Sequence, residues 1–169
     1  RQVKKFTFNP FAENTFVLFD ETKESIVIDP GCYEKAEQHE LVDFIETNKL
    51  VVKKLINTHC HIDHVLGNAF VKRKFNVQLY IHTIEEPLLR AVSSYASNYG
   101  FQQYEDSTPD AFLQEDGFVE FGNQKLKILF VPGHSPGHIA LYDAAGKILL
   151  GGDVLFENSI GRTDLPGGD

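Results

Sequence analysis

The chain has 169 residues, 42% of them apolar and 24% charged, a balance that fits one ordinary globular domain with a sizeable core. Its formal charge is −8, from 24 acidic and 16 basic residues with no long basic run, which argues against a nucleic-acid backbone or an anionic membrane surface as the main partner. No segment reaches the apolar length of a membrane span, and the N-terminal "RQVKKFTFNP" has no secretory apolar core. Cys32 and Cys60 are the only cysteines and suggest no disulfide framework, so the expected setting is a reducing cytoplasm.

In chain order, "FTF", "TFVLF" and "SIVID" read as strands, the last closed by the turn Asp29-Pro30-Gly31. Leu41, Phe44 and Ile45 mark one face of a helix over 34–48. "KKLIN" is a further strand that delivers the chain into "THCHIDH", and 63–75 turns helical again. "VQLYIH" alternates, with Val77, Leu79 and Ile81 on one face. Thr83 and Glu86 have the spacing of a capping box for a helix running toward Gly100. A polar loop with scattered aromatics fills 101–116. The remainder reads as strands: "FVEF", a Gly122-Asn123 turn, "LKILFV", "HIALY" and "KILLGGD". Strands and helices interleave while neighbouring strands often connect by hairpins, which predicts mixed sheets covered by helices rather than a doubly wound parallel sheet.

His59, His61, Asp63 and His64 fall within six positions at the end of an apolar run. Three imidazoles and a carboxylate so close are costly to bury without a partner. His134 follows "ILFVPG" and Asp153 follows "KILLGG", again at strand ends, where α/β sites are assembled. In an extended segment His59 and His61 point the same way, and a turn into the next helix can bring Asp63 and His64 across. Six nitrogen and oxygen ligands exceed the needs of one tetrahedral zinc, so two ions sharing a carboxylate are expected. Zinc suits the donors, as do iron or manganese, with no thiolate required. Cys60, between two ligands, is expected to turn into the core. His39, His82 and His138 are read as structural or solvent-facing.

"THCHIDH", "PGHSPGH" and "GGDVLF", in that order and at strand ends, resemble the signature of the metallo-β-lactamase superfamily. The resemblance implies an α/β (by some schemes α+β) fold, a four-layer αββα sandwich of two mixed sheets flanked by helices, with metals at one edge of the paired sheets. It covers 1–169 as a single domain. It also implies that His59, His61 and His134 hold one metal, that Asp63 and His64 hold a second, and that Asp153 bridges them. His61 separates the chain from the similar flavodiiron branch, which has Glu there. The family's last metal-binding His follows a further strand and helix. None follows His138 here, so a longer protein is expected, incomplete at the C-terminus in these residues. "GRTDLPGGD" resembles the small glyoxalase II-type (hydroxyacylglutathione hydrolase-like) group. The helical glutathione-binding domain of larger members is not in these residues.

The expected activity is thioester hydrolysis of a small-molecule substrate by a metal-activated water, with Asp63 orienting that water. The leaving thiolate, with an intrinsic pKa of ~8.5, demands no strong general acid. An alternative is a persulfide dioxygenase using one iron on His59, His134 and Asp153, since that branch shares a similar "GRTD" stretch. A binding module with a structural metal fits less well, because structural zinc sites are closed and rich in Cys. Asp29 either fixes a ligand imidazole or caps its own turn. Arg162 either pairs with a substrate carboxylate or with an acid such as Asp164. The 101–116 loop, with Tyr99 and Tyr104 near it, either lines the pocket mouth or packs itself down. Oligomeric state is not legible in the sequence.

Overall fold

The computed structural model describes residues 1–143, 150 and 151, and the backbone of 148–149 and 155–157. Strands β1 (Gln2–Phe8), β2 (Glu13–Phe19) and β3 (Glu24–Ile28) form an antiparallel meander. From β3 the sheet continues in parallel through β4 (Val51–Ile56), β5 (Leu79–Ile81) and β6 (Ala111–Phe112). Parallel pairing requires crossovers, and helices supply them: α1 (Lys35–Thr47), then α2 (Ile62–Val65) with α3 (Asn68–Phe75), then α4 (Glu86–Tyr95). The second sheet, in the order β11-β10-β9-β8-β7, contains β7 (Phe118–Phe121), β8 (Gln124–Phe130), β9 (Ile139–Asp143), β10 (Ile148–Leu150) and β11 (Leu155–Glu157). Its described pairings are all antiparallel, so the mixed sheet is the first one.

Two cores follow from the period-two alternation of strand side chains. Val17, Phe19, Val27 and Leu55 face the helices, meeting Leu41 and Ile45 of α1, Val71 of α3 and Leu89 and Val92 of α4. Phe16, Leu18, Ile26, Ile28 and Ile56 face the other way, onto Leu126, Ile128, Ile139 and Leu141 of the second sheet. Burial on both faces explains why "FVLF" and "IVI" are continuous apolar runs. The described layers are thus helices, mixed sheet and antiparallel sheet. A helix over the outer face of the second sheet is not among the described residues. No described helix is long and apolar enough to cross a membrane.

Local departures from the sequence reading have physical causes. The helix expected over 63–75 is broken, because Gly67 donates its N–H to Pro30 O at 2.7 Å and a Cβ there would meet Cys32 Sγ at 2.5 Å. The cap after β5 is His82 rather than Thr83: its ring nitrogen accepts from Ile84 N at 3.1 Å, starting a 3-10 turn over Thr83–Glu85 that leads into α4. The polar loop also contributes β6 to the sheet edge, and β11 is a strand the sequence reading lacks.

Two bonds position the site. Asp29 N donates to Ile56 O at 2.9 Å, which aligns the ends of β3 and β4. Ile139 N donates to Thr58 O at 3.0 Å, which ties the start of β9 to the residue before His59. The loops leaving the two sheets therefore meet at one edge.

Candidate metal centre

His59 leaves the end of β4 fully buried, with its ring 4.7 Å from His61, 4.1 Å from His64 and 4.9 Å from His134 (centroid distances). His61 sits in extended backbone just before α2, and Asp63 and His64 are on that short helix. His134 comes from the β8–β9 loop, and its ring lies 4.7 Å from His61. The donor atoms of His59, His61 and His134 all lie within 4.8 Å of one another, as do those of a second trio, Asp29, His59 and His64. His64 Nε2 stands 3.4 Å from Asp63 Oδ2. Asp153 and Arg162 lie outside the described residues.

The hydrogen bonds fix the imidazole chemistry. Thr58 Oγ1 donates to Asp29 Oδ2 at 2.6 Å, and Thr58 N donates to Asp29 Oδ1 at 2.7 Å. With its proton committed, the Thr58 hydroxyl is left to accept from His59 Nδ1, 3.1 Å away. Nε2 of His59 then keeps a bare lone pair, buried and without a hydrogen-bond partner among the described residues. A buried lone pair aimed at two more imidazoles is what a cation would satisfy. Burial, reinforced by the neighbouring imidazoles, pushes the pKa of His59 far down, and burial together with His134 lowers that of His61. Both are held as neutral rings, the form that binds metals.

The Asp29 carboxylate reaches beyond its own turn. Besides Thr58, its Oδ2 lies 3.2 Å from His64 Nδ1, and Glu13 Oε2 lies 3.3 Å from that same nitrogen. Glu13 is buried, and burial pushes its carboxyl well up. His138 and His82 are both buried rather than solvent-facing. The His138 ring stacks on His59 at 4.4 Å and donates from Nε2 to Gly151 O at 3.2 Å. Cys60 turns into the helix-side core, as expected from alternation. Asn57 and Asn68 exchange side-chain hydrogen bonds of 3.0 and 2.8 Å beneath the loop.

Sequence reasoning missed Glu13, Thr58 and Glu85. Glu85 is fully buried, and its carboxylate accepts from Cys60 N, between His59 and His61, and from Ser135 and Gly137 beside His134. No spacing rule separates it from its half-buried neighbour Glu86.

A cavity of about 420 Å³ opens beside His61, lined by Ile62, Tyr95, Asn98 and Tyr99. Tyr99 is exposed and meets Phe11 edge-on, whereas Tyr104 packs against the helix-side core. A larger cavity, about 530 Å³, lies along α3 away from the imidazoles. Its Lys72 and Arg73 are already paired with Asp110 and Glu105.

A two-sheet fold whose meeting edge gathers imidazoles and carboxylates is the architecture of a metallohydrolase, and the chain belongs to the metallo-beta-lactamase superfamily, whose family model matches residues 8–169. Among curated relatives, hydroxyacylglutathione hydrolase GloC of Haemophilus influenzae is 33% identical over 94% of this chain and 74% of its own length. Among solved structures, the B3 metallo-beta-lactamase BLEG-1 superposes with a TM-score of 0.75 at 32% identity, covering 99% of this chain and 79% of that one. TTHA1623 in a di-iron-bound form gives a TM-score of 0.75 at 31% identity, covering 98% and 79%.

Proposed function

We propose that this chain hydrolyses a small-molecule thioester, as a hydroxyacylglutathione hydrolase-like enzyme, with two metal ions at the imidazole cluster. The observation that carries this reading is the buried Nε2 of His59, without a hydrogen-bond partner among the described residues, set among His61 and His134 and next to the Asp63–His64 pair. His59, His61 and His134 hold the first ion in this reading. Asp63 and His64 would hold the second, and Asp153, outside the described residues, would complete the donor set. Zinc is the first candidate. Iron or manganese suits the same donors, and the di-iron form of TTHA1623 supports iron as a genuine contender.

When bound, the ions supply Lewis acidity and lower the pKa of a coordinated water. The Asp63 carboxylate orients the attacking water. Asp29, through Thr58, holds the His59 ring with Nε2 facing the cluster. The Tyr95–Tyr99 wall beside His61 seats the apolar part of the substrate and excludes water from it. The departing thiolate is a good leaving group, so no dedicated proton donor is needed.

Metal analysis of the full chain, with a panel of thioesters and persulfides, tests this directly. The expected result is two ions per chain and thioester cleavage, with Asp63→Ala losing about 10²- to 10⁴-fold in kcat and one ion. One iron per chain with oxygen uptake on a persulfide assigns the dioxygenase reading instead, which leaves the Asp63–His64 pair without a role.

A further inference from the structure

The three imidazoles that would hold the first ion come from two loops on different sheets. His59 and His61 leave β4 of the first sheet, whereas His134 lies between β8 and β9 of the second. A metal site needs its donors placed to a few tenths of an ångström, so something must set one loop against the other. Backbone pairing contributes a single described bond, Ile139 N to Thr58 O.

A second link is a buried carboxylate. Glu85 Oε1 accepts from Cys60 N at 2.6 Å and Glu85 Oε2 accepts from Gly137 N at 2.8 Å, while the Ser135 hydroxyl lies 2.9 and 2.7 Å from the two oxygens. Cys60 stands between two of the imidazole residues and Ser135 follows the third. The two oxygens of one side chain therefore grip both loops. Glu85 itself closes the 3-10 turn after β5, with its N–H donating to His82 O at 2.9 Å. The receiving loop is shaped for it, since a Cβ on residue 137 would stand 2.9 Å from Glu85 Cγ and 3.1 Å from Oε2. Ser135 and Gly137 of "PGHSPGH" thus act as the receptor for this carboxylate.

We propose that Glu85 is a positioning residue for metal binding, a carboxylate brace that sets the His134 loop against the His59–His61 loop. This inference rests on the metal reading above. All of its partners are donors, so an ionised carboxylate satisfies them and an amide does not. In Glu85→Gln, the amide NH2 must face either Cys60 N–H or Gly137 N–H. A side chain of nearly identical size therefore breaks the brace.

Cobalt binding to the full chain, read by its visible absorption and by competition with a chromophoric chelator, tests the brace without assaying activity. Circular dichroism of the metal-free protein checks folding. The wild type is expected to bind cobalt, and E85Q is expected to stay folded while binding on the order of 10- to 100-fold more weakly, with an altered visible spectrum. Ser135→Ala, which removes only the hydroxyl, is expected to weaken binding a few-fold, and it decides the matter if E85Q does not fold. Folded variants that bind cobalt within about two-fold of the wild type, with its spectrum, overturn the brace and leave the metal reading standing. A wild type that binds no cobalt removes the metal reading and the brace with it.

Discussion

Asp29 occupies the left-handed region at φ 53°, which short polar side chains tolerate better than most. Turn chemistry reads Asp-Pro-Gly as a self-contained corner, yet the carboxylate reaches across to the end of the neighbouring strand. It satisfies Thr58 N–H and Thr58 O–H and lies beside His64. Asp29→Ala leaves that buried N–H without an acceptor and removes the short polar side chain that eases the left-handed backbone. We expect a loss of about 2–3 kcal/mol, read by urea denaturation of the metal-free protein. A variant as stable as the wild type would show that the contacts contribute nothing. The imidazoles of "THCHIDH" were legible because four ligand-type residues seldom crowd the end of one apolar strand without an ion to hold. Glu13 and Glu85 were not, because a single carboxylate carries no periodicity. Its burial is decided by segments distant in sequence, and only the folded chain brings Ser135 to Glu85.

The same division holds for whole elements. β2 and β3 were readable because both faces are covered, so their C-terminal stretches, Phe16 to Phe19 and Ile26 to Ile28, are apolar without a break. The helix over 34–48 was readable because Leu41 and Ile45 repeat at helical spacing and meet the sheet. Helix starts were harder, since they depend on which side chain reaches a free N–H. At the end of β5 that side chain is His82. Its Nδ1 accepts from Ile84 N, so Nε2 carries the proton and donates to Glu115 Oε1 at 2.8 Å, while the ring stacks on Phe130 at 4.9 Å. One imidazole thereby ties the α4 entrance to the 113–116 loop and to β8. His82→Ala is expected to cost about 1 kcal/mol or more. Faster amide hydrogen exchange should appear from Ile84 through the first turns of α4. Thr83→Ala, at the position that pattern reasoning favours, should leave exchange there nearly unchanged.

Two sheets packed face to face need fastening at both ends. At the metal edge the links are Thr58 to Ile139 and the Glu85 carboxylate. At the far end the β2–β3 turn meets the β7–β8 turn through Asp20. This nearly buried carboxylate accepts from Thr22 in its own turn and, across the gap, from Asn123 N at 2.8 Å and Gln124 Nε2 at 3.1 Å. Burial alone would push its pKa up, but these hydrogen bonds outweigh it and hold the carboxyl at about 2. An unfolded Asp titrates near ~3.9. The folded value is therefore depressed, and the unfolded chain takes up protons first as pH falls. The stabilisation is complete above about pH 4–5 and fades as pH drops toward the folded value. Asp20→Asn places an NH2 group among donors and should cost about 2 kcal/mol at pH 7. Measured by urea denaturation across a pH series, the gap between wild type and variant should stay level from pH 7 to about 5, then narrow progressively below about 4. A gap of equal size at about pH 3 and at pH 7 would mean that the Asp20 charge does not fasten the two sheets.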